Sequence, residues 1–225
     1  MFRIRFVVAL ACALMTPAAF ADGQDIDKVN GSITTEPGQR YGNLETVNGG
    51  IRIAAGARTG NAETVNGGIR VGDGARTGGL GTVNGGIHLG TRVQVGKGLE
   101  TVNGQIFVDR GSHIDGDVST VNGSIGLVDT DLDGGIETVN GDVTVGVDSH
   151  VKGGIKIEKP NSTWLPWISL GKRRPQRIII GPNAVVDGPL VFERAVVLYL
   201  HASARTGLVT GTTAVRFDGA QAPQD

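Results

Sequence analysis

Residues Asp129-Thr-Asp131-Leu-Asp133-Gly134-Gly-Ile136 follow the first eight positions of a calcium-binding loop, with carboxylates at alternate residues and a glycine at the sharp turn. The twelfth position holds Asn140 where such a loop needs a bidentate Glu, so Asp129, Asp131 and Asp133 make an incomplete calcium candidate. Residues 136–141 are also in register with residues 99–104, which accounts for them as part of a repeat. His88, His113, His150 and His201 share no metal-ligand spacing. Arg52, Arg70 and His88 recur at intervals of 18 residues and form a candidate anion patch. No Gly-x-Ser-x-Gly, phosphate loop or cysteine nucleophile is present, so no catalytic residue, metal centre or cofactor is expected.

What must position these residues is a repeat. Val-Asn-Gly occurs seven times, with its asparagines at Asn30, Asn48, Asn66, Asn84, Asn103, Asn122 and Asn140. The spacings are 18, 18, 18, 19, 19 and 18. Each Asn-Gly is followed by an apolar-x-apolar pair such as Ile51/Ile53 or Ile87/Leu89, the period-2 signature of a strand with one face in a core. Units close on elements such as Ala57–Gly60 and Ala75–Gly78, where glycine is expected to supply backbone angles closed to other residues. Eighteen residues are too few for a propeller blade and lack the leucine-rich consensus. They suit one coil of an all-β, single-stranded parallel β-helix with about 18 residues per coil and roughly 9–10 coils.

In a stack of coils every repeat position becomes a column about 4.8 Å apart. The asparagines are expected to form a ladder of amides, each donating to the next, which if buried would fix the register. The Thr46, Thr64, Thr82, Thr101, Thr120 and Thr138 column is expected to do likewise. Glu45, Glu63, Glu100 and Glu137 should face water, and strict alternation places Val47 and its equivalents beside them. Either the chain bends between Glu and Val, or a valine stripe is exposed as a partner surface.

The remaining organisation follows. Residues 1–21 read as a signal peptide: Arg3 and Arg5, an apolar run from Phe6 to Met15, and a small-x-small site ending at Ala21. Residues 22–157 hold the regular coils. Residues 158–177 interrupt them with Trp164, Trp167, Lys172, Arg173 and Arg174. This inserted loop either folds back over the solenoid or docks on a partner or membrane surface. Coils resume over 178–212, and 213–225 read as a flexible tail. The net charge of −1 gives no case for nucleic-acid binding. Cleavage after Ala21 would remove the single cysteine, Cys12, leaving no disulfide.

The Thr-Val-Asn-Gly-x-Ile pattern resembles exported bacterial β-solenoid proteins described as adhesin-like. The segment Ile178-Ile-Ile-Gly-Pro-Asn-Ala-Val-Val-Asp-Gly188 is similar to coils of bactofilins, which form polymers. Bactofilins are cytoplasmic and lack such a leader and such a Trp-bearing loop. The resemblance implies architecture and supplies no catalytic residue. The expectation is a non-catalytic exported scaffold of the periplasm or cell surface, binding an envelope polymer, a protein or copies of itself. The rival is a polysaccharide lyase or hydrolase on the same fold, which needs converging carboxylates.

Overall fold

The computed structural model describes residues 23–159 and 174–223. The leader expected over residues 1–21 lies outside them, as do Trp164, Trp167, Lys172 and Arg173. The described chain is all-β and winds as a parallel solenoid of about nine turns. The turns build three parallel sheets, here called A, B and C, and the first turns meet sheet C only through the isolated bridges of Arg40 and Arg58. Sheet A has ten strands from Ile26–Asn30 to Val209–Thr210. Sheet B has ten from Ile33–Thr34 to Ala214–Phe217, and sheet C seven from Arg76–Thr77 to Arg205–Thr206.

The register is that of like on like. Leu44 pairs with Ala62, Thr46 with Thr64 and Asn48 with Asn66. Ile51 pairs with Ile69 on sheet B. The offset is 18 residues in these coils and 19 where Leu80 meets Leu99. Across the insertion, Ile155 of one coil pairs with Leu190 of the next. The period-2 pattern drives this arrangement. Ile51 and Ile53 are buried while Arg52 between them is exposed, and the same holds in the following coils. One continuous core results. Each fully buried Ile or Leu contributes about 1.5–3 kcal/mol. No coil can supply that burial alone, so stability is shared between neighbouring coils.

The Val-Asn-Gly corner joins sheet A to sheet B. Thr46 points inward and is buried, whereas Val47 is half-buried and Asn48 is exposed. Alternation therefore breaks at Val-Asn as the chain turns. Of the two arrangements left open by the sequence, the valine stripe is the one found: it lies on the glutamate side, half-buried in the middle coils and 68% exposed at Val29.

The expected threonine ladder takes a different form. Thr64 Oγ1 donates to the Gly49 carbonyl at 2.8 Å, and Thr82 does the same to Gly67. A hydroxyl reaches that axial carbonyl more readily than the threonine above it. The same carbonyl explains the glycine. A Cβ on Gly67 would sit 2.1 Å from Gly49 O, and one on Gly85 2.0 Å from Gly67 O. These glycines are required for close approach of coils.

The closing glycines are required for the same reason, which corrects the expectation that they supply unusual backbone angles. A Cβ on Gly116 or Gly153 would meet the backbone of Gly98 or Gly134 at 2.7 or 2.6 Å, whereas on Gly60 or Gly78 it would meet first the side-chain oxygen of Asn43 or Asn61. Positive φ is concentrated at another corner, between sheets B and C, although Gly31, Gly141 and Gly211 at the corner between sheets A and B also have it. Between sheets B and C, Gly38, Gly56, Gly74, Arg92, Gly111, Asp129, Asp148 and Asn183 all have φ between 44° and 72°.

The C-terminal end differs from the expected outline. The apolar stretch 190–200 splits at Glu193–Ala195 into one strand of sheet A and one of sheet B. The coils expected to stop at residue 212 continue, because Ala214–Phe217 pairs with Leu198–His201 and buries Phe217. Register sets Phe217 beside His201, out of line with inward Leu198 and Leu200, and the two rings meet edge to face at 5.1 Å.

Candidate functional site

The asparagines line up in one file. Asn48 Nδ2 donates to Asn30 Oδ1 at 3.0 Å, and Asn66, Asn84, Asn103, Asn122 and Asn140 continue the series at 2.9–3.1 Å. The direction is the reverse of that expected: each amide donates to the preceding coil. The file is also a surface feature, exposed from Asn30 to Asn122, so its bonds compete with water and each adds only about 0.5–1.5 kcal/mol. Its last acceptor, Asn140 Oδ1, receives Arg194 Nη1 at 2.8 Å.

The insertion leaves the solenoid at this same corner. Ile157 ends a sheet A strand beside Thr138, and Gln176 begins the next sheet B strand, so the chain returns to the solenoid across the corner that other coils cross with Val-Asn-Gly. Its returning end is anchored: Gln176 Nε2 donates to the Gly141 carbonyl at 2.8 Å, and Arg177 N to Asp142 Oδ1 at 2.8 Å. Arg174, the described member of the proposed docking loop, is exposed and lies 3.7 Å from Asp142.

Sheet A carries an acidic outer face. Asp27, Glu45 and Glu63 stack on consecutive coils. Burial raises the Glu45 carboxyl above its usual range, and Asp27, Glu63 and Asp25 add to the rise. Further along, Gly81 and Ser119 replace glutamate and open a groove of about 530 Å³ lined by Glu63, Lys97, Glu100, Asp117, Val121 and Glu137. At its end Lys156 bridges Glu137, at 3.2 Å, and Glu158. Burial and Glu158 raise the Glu137 carboxyl, against the pull of Lys156.

The calcium candidate does not assemble. Asp129 occupies the left-handed corner, Asp131 and Asp133 lie along sheet C, and Asn140 belongs to the amide file. Strand register brings a different set together. His113 Nε2 lies 2.9 Å from Asp115 Oδ1 and 3.8 Å from Asp133 Oδ2. Among the described residues this is the only triad whose donor atoms could share a metal ion. Asp133 is also paired with Lys152 at 2.8 Å, and that hydrogen bond holds its carboxyl below the usual range. The triad spans two coils, so no local spacing in the sequence could reveal it.

The three residues read as a candidate anion patch stack on consecutive coils. Arg52 pairs with Arg70, and Arg70 with His88, on the outer face of sheet B. His88 stacks on Phe107 with ring centroids 5.0 Å apart. Around the corner, Arg40, Arg58 and Arg76 stack on three consecutive coils. The sequence held this second file at the same 18-residue interval, but its neighbours Gln39, Ala57 and Ala75 gave no strand pattern to mark it.

No family model, curated protein or solved structure matches the chain. Among the described residues no helix is long and apolar enough to cross a membrane.

Proposed function

We propose that the chain is a non-catalytic scaffold of the bacterial cell envelope, exported by its leader, that presents rigid repeating faces to an extended partner. The observation that supports this most strongly is the in-register stacking of chemically different columns. Amide, valine, carboxylate and guanidinium files run parallel to one axis at about 4.8 Å intervals. Such a surface matches a partner with its own linear repeat. The adhesin-like and bactofilin-like resemblances agree with it, and the insertion at the amide corner supplies a further docking element.

The test pairs a glycan-binding screen of the mature chain with assays for turnover of each bound glycan, beside electron microscopy with and without residues 158–177. Binding without turnover, or filaments, is the expected result. Release of new chain ends from any polysaccharide contradicts it.

One observation favours the enzyme reading. The sheet A groove gathers Glu63, Glu100, Asp117 and Glu137, and Glu137 has a raised pKa suited to a general acid. On that reading Glu137→Gln abolishes turnover while leaving binding intact.

A further inference from the structure

We infer that the two arginine files on sheets B and C form a binding site for a linear anionic polysaccharide. The inference rests on the scaffold reading and names its ligand class. Arg52 and Arg70 stand on one side of the corner between the sheets, and Arg40, Arg58 and Arg76 on the other. All five are exposed, and none makes an ion pair among the described residues. The backbone fixes them one coil apart, so like charges repel along each file and no neighbouring carboxylate file relieves them. The acidic column of the same coils, Asp27, Glu45 and Glu63, belongs to sheet A. Two carboxylates share the corner, Glu36 and Asp73, and Asp73 Oδ1 already accepts the Thr91 amide at 2.8 Å.

The shape of the corner suits a chain laid along the axis. The residues between the files are small at two coils, Ala54-Ala55-Gly56 and Gly72-Asp73-Gly74. On the other side of the sheet B file, a cleft of about 380 Å³ is floored by Gly50, Gly68 and Gly86 and edged by Arg70, His88 and Gln105. The stacked His88 and Phe107 rings extend the file as a flat platform for a sugar face.

Guanidinium is the preferred partner of planar or tetrahedral oxyanions because it donates in a fixed fork. Two ligand sources present such anions on a linear chain, uronates and sulfated or phosphorylated sugars. Nucleic acid fits less well. Successive side chains are held at about 4.8 Å, whereas stacked bases repeat at about 3.4 Å. A glycan that advances one sugar per coil keeps its charges in step with the arginines.

The experiment measures binding of the mature chain to polygalacturonate, to dextran sulfate, to neutral dextran and to oligothymidylate. Variants are Arg52→Gln with Arg70→Gln, and Arg58→Gln with Arg76→Gln. Arg205→Gln, an exposed arginine of sheet C outside the patch, is the control. All are surface changes, and circular dichroism confirms the fold of each. The expected result is binding of one or both anionic glycans, weakened about tenfold or more by either double variant, unchanged by Arg205→Gln, and falling steeply between about 50 and 300 mM salt. Polygalacturonate alone assigns the site to carboxylates, and dextran sulfate alone to sulfated or phosphorylated sugars.

Equal binding of neutral dextran, preference for oligothymidylate, or binding unaffected by both double variants overturns the proposal. So does loss of self-association in the variants without any glycan binding, which would assign the face to a second copy. Glycan binding that survives both double variants leaves the scaffold reading standing without this site. Turnover of a glycan whose binding the variants weaken leaves the site standing without the scaffold reading.

Discussion

Arg194 Nη1 donates to Asn140 Oδ1 at 2.8 Å and to the Val139 carbonyl at 2.9 Å. That contact closes the amide file. Every asparagine donates backward, so the last one has an oxygen with no successor. The next coil has lost its Val-Asn-Gly corner to the insertion, and the coil after it sends an arginine back to fill the vacancy. The guanidinium thus joins the regular coils to the C-terminal ones across the point where the repeat is broken.

Replacing Arg194 with Ala should therefore act locally. Loss of a charge-assisted, partly buried contact should cost about 1–2 kcal/mol. In a solenoid this loss falls on nearby interfaces. Hydrogen exchange should quicken over residues 176–217 and stay unchanged over residues 26–66. Uniform change along the chain would show that Arg194 does not join two blocks.

Two glycine substitutions separate the two uses of glycine. Gly85→Ala drives a Cβ to 2.0 Å from the Gly67 carbonyl, which only a shift of two coils can relieve. It should abolish folding or cost more than about 3 kcal/mol. Gly74→Ala meets nothing within 4 Å and pays only for its left-handed backbone at φ 66°, about 1–2 kcal/mol. Urea denaturation of both variants checks the order, and a reversed order would refute the close-approach account.

The acidic face should respond to pH with a definite sign. Glu45 titrates above its usual range, chiefly through burial and then through Asp27, Glu63 and Asp25. Its native pKa exceeds its unfolded one, so the folded state binds the proton more tightly. Stability from this group is present below the unfolded pKa and lost as pH rises through the folded pKa. Glu45→Gln should raise stability at pH 7 by a few tenths, about 0.3 kcal/mol after screening, and by less at about pH 3.5. Asp133 has the opposite sign, because the Lys152 hydrogen bond lowers its pKa. Its contribution is present above the unfolded value and is lost as pH falls. Denaturation midpoints across pH for Glu45→Gln and Lys152→Met test both signs.

Much of this architecture was legible because the repeat is chemical as well as numerical. Ile51/Ile53 and their equivalents announce inward columns, and Val-Asn-Gly spacing sets the coil length, so the three-sheet stack follows. What the sequence hid lies along the axis or across corners. His113 meets Asp133 because Ser112 pairs with Thr130, a relation between coils. Asn48 is solvent-facing because the chain turns at Val47-Asn48, which alternation alone does not foresee. Phe217 is buried with its ring edge to face on His201 of the preceding coil, a contact between coils that its polar flanking residues do not announce.

Cysteine pairs placed in the amide file measure the coil spacing most directly. With Cys12→Ser as background, Asn66→Cys with Asn84→Cys places two cysteines on adjacent coils, their Cα atoms about 4.8 Å apart and within the reach of a disulfide. Asn66→Cys with Asn103→Cys spans two coils, at about 9.6 Å, beyond that reach. Mild oxidation should cross-link the first pair within one chain and leave the second reduced. Equal cross-linking of both pairs, or cross-linking of the second alone, would contradict one coil per Val-Asn-Gly.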